Sequence, residues 1–198
     1  MSLPFSQACE NNKDPILNVL TEVFSDRRRV LEIGSGTGQH AVYFAQNLPH
    51  LIWQTSDLSV NHVGINQWID HQPSDNLLRP TVFDLRQPVW PTGIDAVFSA
   101  NTAHIVSWPL VQALFTQVGQ HLPPGGIFAQ YGPFNYGGQY TSDSNAAFDQ
   151  MLKKRDPDSG IRHFEEISQL AEQNALVLSK DYPMPANNRL LVWTKLTR

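Results

Sequence analysis

Apolar positions along the chain fall into two rhythms. Short apolar runs in "RRVLEI" (28–33), "HLIWQTSD" (50–57), "PTVFDL" (80–85), "IDAVFSAN" (94–101) and "IFAQYG" (127–132) read as five strands, the first buried on both faces. Between them the spacing turns helical: Ala41, Phe44, Ala45 and Leu48, then Ile65, Trp68 and Ile69, then Val111, Leu114, Phe115, Val118 and Leu122 each form one stripe. Asp14-Pro15 predicts a helix start, with the acid as N-cap and proline in the first turn, and a helix over 15–24. Ser59 is the expected cap of a helix over 60–71, and Ser107 of the helix that precedes "PPGG". Pro80 predicts an edge strand, because proline has no N–H for an interior ladder. After the fifth strand come a loop, "PFNYGGQYTSDS", helical segments near 146–155 and 164–173, and an antiparallel hairpin of "LVLSKDY" and "RLLVWTKL" turning at "PMPANN".

Strands that alternate with helices predict an α/β fold, a Rossmann-like doubly wound and mostly parallel sheet. Ligands of such sheets bind beyond the carboxyl ends of the strands, near the first one. Gly34, Asp57, Asp84, Asn101 and Tyr131 fall at five successive expected strand ends. That constellation weighs more than any single motif.

Composition narrows the picture. The 198 residues suit a single domain, with no repeat or linker-like tract. No apolar run is long enough to span a membrane, and the polar "MSLPFSQACENNKDP" lacks the apolar centre of a signal peptide. One cysteine, Cys9, excludes an intrachain disulfide, so a cytoplasmic location is expected. The net charge of −4, with "DRRR" (26–29) as the densest basic cluster, disfavours a nucleic-acid partner. No metal is expected: the histidines lack ligand spacing, and neither H-E-x-x-H nor C-x-x-C occurs.

The chemistry begins at "VLEIGSGTGQH" (30–40). Its spacing is G-x-G-x-G, so Gly38 comes one residue too early for the dinucleotide fingerprint, and no Walker lysine follows. Glu32, just before Gly34, would repel a pyrophosphate and attract an ammonium group. Asp57 offers two acceptor oxygens to ribose hydroxyls, and Asp84 can accept from an adenine amino group. Leu58 and Leu85, each following its aspartate, can hold the purine faces. A ligand with an amine, a ribose and a purine but no phosphate at the loop describes S-adenosylmethionine better than NAD.

With acids at the next two strand ends and a C-terminal hairpin, "VLEIGSGTG" resembles the class I S-adenosylmethionine-dependent methyltransferases over nearly the whole chain. The segments "NKDPIL", "GSGTGQHAVYFA", "WQTSD", "NTAHIVSW", "YGPF", "SNAAFD", "RDPDSGIR" and "MPANN" are together similar to the methyltransferase-like protein 26 family. The resemblance implies a seven-stranded sheet whose last strand is antiparallel and inserted between the fifth and sixth. It implies cofactor roles for Glu32, Gly34, Ser35, Gly36, Gly38, Asp57 and Asp84, with S-adenosylhomocysteine as product. It also implies that residues 1–26 form a helical cover over the cofactor, with Asn12 near it and Lys13 suited to the methionyl carboxylate.

Asn101 is a further expected cofactor-binding residue; the methyl is expected to point toward Asn101–His104 and Tyr131, with His104 and Tyr131 the catalytic candidates. His104 can act as a proton acceptor, or it is a helix-start residue bonded to backbone; many methyl transfers need no base. Tyr131, Asn135, Tyr136 and Tyr140 line an acceptor pocket or pack over the core, and Asn187 and Asn188 make the hairpin turn and one wall. No large insertion is present, which favours a small-molecule acceptor. Two other classes remain open: a cofactor-binding assembly protein without catalysis, and, less well supported, a nicotinamide-dependent oxidoreductase.

Overall fold

The computed structural model describes residues 2–197. The chain is built from helix α1 (Gln7–Val23), β1 (Arg29–Ile33), α2 (Gln39–Asn47), β2 (Ile52–Asp57), α3 (His62–His71), β3 (Leu77–Val82) and β4 (Ala96–Ala100). There follow α4 (Trp108–His121), β5 (Ile127–Gly132), β6 (Phe134–Asn135), α5 (Asp143–Arg155), β7 (Arg162–His163), α6 (Phe164–Gln173), β8 (Leu176–Met184) and β9 (Asn188–Lys195). Seven strands form one sheet in the order β3-β2-β1-β4-β5-β9-β8. β1 pairs in parallel with both β2 and β4, and β2 with β3. β9 runs antiparallel to β5 and β8, between them, as the resemblance implied. The proline-bearing β3 is an edge strand, as its composition predicts.

The chain divides after Ser99 into two compact units. In the first, Val30, Leu31 and Ile33 of β1 are buried together with Ala41, Phe44 and Ala45 of α2 and Trp53 of β2. Phe44, Trp53 and Phe98 meet as an aromatic cluster with centroids 5.4–5.9 Å apart. In the second, the predicted stripe Val111, Leu114, Phe115, Val118 and Leu122 is buried, and Phe115 packs edge-on against Phe128 and Trp193.

Local departures from the expected elements have identifiable causes. α1 begins at Gln7, well before Asp14-Pro15, because Ser6 is its N-cap and accepts from the Cys9 N–H. Pro15 lies inside the helix; the carbonyl its missing N–H would have bonded belongs to Asn11, which is exposed to water. Ser59 makes no side-chain cap: 59–61 form a 3-10 turn and α3 starts at His62. Trp68 is half-buried rather than fully inward, and its indole N–H donates to Pro4 O at 2.6 Å. Ser107 is the N-cap of α4, yet its hydroxyl makes no capping bond. α5 begins at Asp143, behind a Ser142 cap. The loop after β5 contains a feature that the apolar pattern missed, a two-stranded parallel ladder of β6 and β7.

Candidate functional site

The first unit assembles a cradle from the end of β1 and the end of β2. The N–H groups of Gly34 and Ser35 both donate to Ser56 O, at 3.1 and 2.9 Å, so the loop leaves β1 by folding back on β2. Gly34, Gly36 and Gly38 all have positive φ, at 80°, 58° and 91°. For Gly38 two constraints coincide, since a Cβ there would meet Ile65 Cα at 3.0 Å and Trp68 Cβ at 3.3 Å. Gly36 differs: nothing lies within 4 Å of where its Cβ would be, so its face is open. The alternation of glycines therefore combines a steric need at Gly38 with an accessible backbone at Gly36.

Glu32 sits beneath this loop with 2% of its surface exposed. Its Oε2 accepts from Ser35 Oγ at 2.8 Å and from Trp53 Nε1 at 3.2 Å. Its Oε1 takes no donor among the described residues. Burial pushes the carboxyl up to about 7; the Trp53 and Ser35 donors oppose that shift, and the Asp57 charge adds to it. Ser35, expected to meet the cofactor, is committed to the frame: its hydroxyl donates to Glu32 and accepts from Ser56 N at 3.1 Å.

Asp57 closes the cradle. Its Oδ2 accepts from Gly36 N at 2.8 Å, and its Oδ1 accepts from Leu58 N and Asn61 Nδ2, each at 2.7 Å. A carboxylate has about four lone-pair sites, so the single bond at Oδ2 leaves acceptor capacity there. Leu58 stands beside it, 40% exposed. Glu32, the three glycines, Ser35, Asp57 and Leu58 are thus one contiguous cluster.

The other first-unit candidates are engaged differently. Asp84 lies two residues beyond the end of β3 and shapes its own turn, accepting from Arg86 N at 2.9 Å and pairing with Arg86 Nε at 3.3 Å. The turn is tied to the cradle where Phe83 N donates to Asp57 O at 3.0 Å. Leu85 is half-buried. Asn12 is buried and its Oδ1 meets His40 Nε2 at 2.6 Å, pinning α1 to α2. Lys13 pairs with Glu10, and its ammonium lies 4.9 Å from the Tyr43 ring centre. The segment before α1 is held by Gln39, whose Nε2 donates to Ser6 O at 3.3 Å. Sequence reasoning missed Trp53 and Asn61; the one available signal was that a tryptophan buried in a strand needs an acceptor for its N–H.

In the second unit, Asn101 adopts a left-handed conformation with φ 56°, and its N–H donates to Tyr131 O at 2.9 Å. Tyr131 is buried. His104 is buried too, edge-on to Phe148 with centroids 5.5 Å apart, and its Nδ1 lies 3.5 Å from where a Cβ on Gly132 would be. Among the described residues the hydrogen bond is to its backbone and not to its ring: His104 O accepts from Gly160 N at 2.9 Å. Burial, aided by the Arg162 charge, lowers the imidazole to about 4, so the ring is neutral near pH 7. Tyr136 stacks on Phe164, and its hydroxyl donates to Asp181 Oδ2 at 2.8 Å. Tyr140 donates to buried Asp149 at 2.6 Å. Ala186 and Asn187 both have φ 56° and make the hairpin turn inside the expected "PMPANN" segment, whereas Asn188, also expected in the turn, is already extended and opens β9. Among the described residues, no group of three or more His, Cys, Asp or Glu could hold a metal, and no helix is long and apolar enough to cross a membrane.

The family described as a protein of unknown function, DUF938, matches residues 3–195. Several solved structures share the architecture. Apo SibL, an S-adenosylmethionine-dependent methyltransferase, superposes with a TM-score of 0.81 at 18% identity, over 96% of this chain and 56% of that one. An O-methyltransferase family 2 protein from Planctomyces limnophilus, solved with apigenin, gives 0.84 at 16% identity, over 96% and 58%. NcsB1, an O-methyltransferase from neocarzinostatin biosynthesis solved with S-adenosylmethionine and 2-hydroxy-5-methyl naphthoic acid, gives 0.79 at 15% identity, over 96% and 55%. The chain spans a little over half the length of these structures. At these identities the likeness is one of fold, the class I methyltransferase fold.

Proposed function

The chain belongs to the DUF938 family, and we propose that it is an S-adenosylmethionine-dependent methyltransferase of small molecules, akin to the methyltransferase-like protein 26 family. The observation that carries this reading is the cradle of Glu32, Gly36 and Asp57. Both donors to Glu32, Ser35 Oγ and Trp53 Nε1, reach Oε2, so Oε1 has no donor among the described residues and an ammonium would supply one. A pyrophosphate over the same loop would face that carboxylate, which argues against a nicotinamide dinucleotide.

The residues present fit the cofactor. Glu32 Oε1 would accept from its ammonium, the remaining lone pairs of Asp57 would take ribose hydroxyls, and the open face of Gly36 would let the backbone come close. Leu58 would cover the purine, and Asp84 and Leu85 would border it. The cofactor, when bound, supplies a sulfonium-activated methyl group. The neutral His104 imidazole would take the acceptor's proton, with Asn101 and Tyr131 shaping the acceptor side. Since the ordinary optimum for a general base lies near the working pH, a histidine lowered to about 4 is a weak base, and alignment carries most of the rate.

Calorimetry with S-adenosylmethionine tests the binding half. Asp57→Ala is expected to weaken binding at least about tenfold, ~1.4 kcal/mol, without unfolding the chain. Micromolar binding of NADH with none of S-adenosylmethionine would refute the reading. Incubation of the protein with methyl-labelled cofactor and a metabolite extract tests the transfer half. Binding without transfer to any extract component would identify a cofactor-binding protein instead.

A further inference from the structure

A cavity of about 280 Å³ in the second unit is lined by Tyr136, Thr141, Pro183, Met184 and the hairpin residues Asn187, Asn188 and Arg189. It is small beside the usual ligand pocket of about 300–1,000 Å³, so its occupant is a small molecule or part of one. Arg189 is the single charged residue in this lining. Asp181, its ion-pair partner, is not among the lining residues: its Oδ1 accepts from Arg189 Nε at 2.7 Å and its Oδ2 from the Tyr136 hydroxyl at 2.8 Å. Arg189 Nη2 reaches Asp181 O at 3.3 Å, and the guanidinium carbon lies 5.6 Å from the Tyr136 ring centre. Arg189 Nη1 completes no hydrogen bond to a protein acceptor among the described residues.

The polar neighbours add donors. Thr141 Oγ1 accepts from Asn145 Nδ2 at 3.0 Å, which leaves its hydroxyl proton to donate elsewhere. The Asn187 carbonyl accepts from Asn145 Nδ2 at 3.2 Å, while its side-chain amide bonds to nothing among the described residues. Asn188 Nδ2 is held by Pro185 O at 3.1 Å. Pro183 and Met184 supply an apolar floor. Tyr136 offers only its edge, because one face stacks on Phe164 at 4.9 Å and the Arg189 cation lies over the ring. A cation with a spare donor, a hydroxyl and a free amide, set beside apolar side chains and no lining carboxylate, is the surrounding of an anionic oxygen group on a small carbon skeleton. We propose that this cavity seats the carboxylate of a small organic acid.

Backbone amide spectra of the isotope-labelled protein test this with benzoate and 4-hydroxybenzoate, their primary amides, and inorganic phosphate. Carboxylates are expected to shift Thr141, Asn187 and Arg189 with dissociation constants of about 1 mM or tighter, as suits ligands of this size. They should bind at least about tenfold more tightly than the amides. Asn187→Gly, which removes a side chain without a hydrogen bond among the described residues and keeps the φ of 56° accessible, should weaken the carboxylates about tenfold without unfolding the chain. The charge-neutral pair Arg189→Gln with Asp181→Asn should erase the preference for acid over amide. Equal binding of acids and amides, tighter binding of phosphate, or no carboxylate binding at about 10 mM would overturn the proposal.

Discussion

The proposed pairing of Glu32 with the ammonium of S-adenosylmethionine would make binding depend on pH. Burial raises the Glu32 carboxyl to about 7, and the ligand's α-amino group ordinarily titrates near about 7.8. The pairing proposed for Oε1 needs the carboxylate and the ammonium together. At about pH 7.4 each is about 70% in the required form, so about half of the encounters are competent. At about pH 6 the ammonium is complete but the carboxylate falls to about 9%, and affinity should drop about sixfold, ~1 kcal/mol. Above about pH 8 loss of the ammonium weakens binding again, which makes the profile bell-shaped. Isothermal titration of S-adenosylmethionine at the two pH values measures the drop directly. Glu32→Gln keeps an acceptor for Ser35 and Trp53 but cannot ionise; it should bind more weakly at about pH 7.4 and show no acid limb. Affinity that is flat or rises between about pH 7.4 and 6, or an acid limb that survives in Glu32→Gln, would refute the proposed pairing.

The same titration bears on stability. The folded-state pKa of Glu32 is raised above its unfolded value, so its stabilising contribution is complete below about pH 4.5 and lost as pH rises through about 7. Relative to wild type, Glu32→Gln should therefore gain about 2 kcal/mol between about pH 5 and 8, read by urea unfolding; a constant difference would refute the shift. The glycines separate folding from binding. Gly38→Ala should cost about 1–3 kcal/mol, because its φ of 91° is joined by a 3.0 Å approach to Ile65 Cα. Gly36→Ala carries the backbone penalty alone, so it should lose disproportionately more S-adenosylmethionine affinity than stability in paired calorimetry and unfolding experiments.

The parallel part of the sheet was legible because each of its strands is a contiguous apolar run with helical spacing after it. Even the insertion of β9 between β5 and β8 followed once the resemblance was in hand. Errors gathered where two local signals compete. Asp14-Pro15 carries a strong helix-start signature, yet Ser6 caps the helix about two turns earlier, and the exposure of Asn11 makes the interior proline tolerable. Ser59 has the right residue type for a cap, but the N–H groups its hydroxyl would cap go to backbone carbonyls, Asn61 N to Leu58 O and His62 N to Ser59 O. β6 and β7 could not be read, since a two-residue strand has no periodicity and its partner lies 28 residues away. At the cradle, the residue types were readable and their division of labour was not. Ser35 looks like a ligand residue, and only the structure shows it holding the Glu32 carboxylate.

That contrast has a physical basis. The cradle is formed by segments adjoining consecutive strand ends, so its partners lie close in sequence or one crossover apart, and short motifs record it. The second unit's candidate residues depend on distant chain. Arg162 donates to Ala103 O at 2.9 Å and to Val106 O at 2.5 Å, while Gly160 N holds His104 O, so the loop bearing His104 is clamped from almost sixty residues away. That clamp is itself fixed by Asp149, which takes Ile161 N at 2.7 Å and, on its other oxygen, Tyr140 and Lys153. The donors that line the small cavity come from 141 and from the hairpin at 187–189. Each of these groups is an ordinary residue in an ordinary loop, and its role exists only through the contacts that long-range folding creates. Substitutions at positions 141 and 187–189 are therefore expected to alter the small cavity and leave the first unit's cradle intact, since its hydrogen bonds close within residues 32–61 apart from those that Asp57 O takes from His62 Nε2 and Phe83 N.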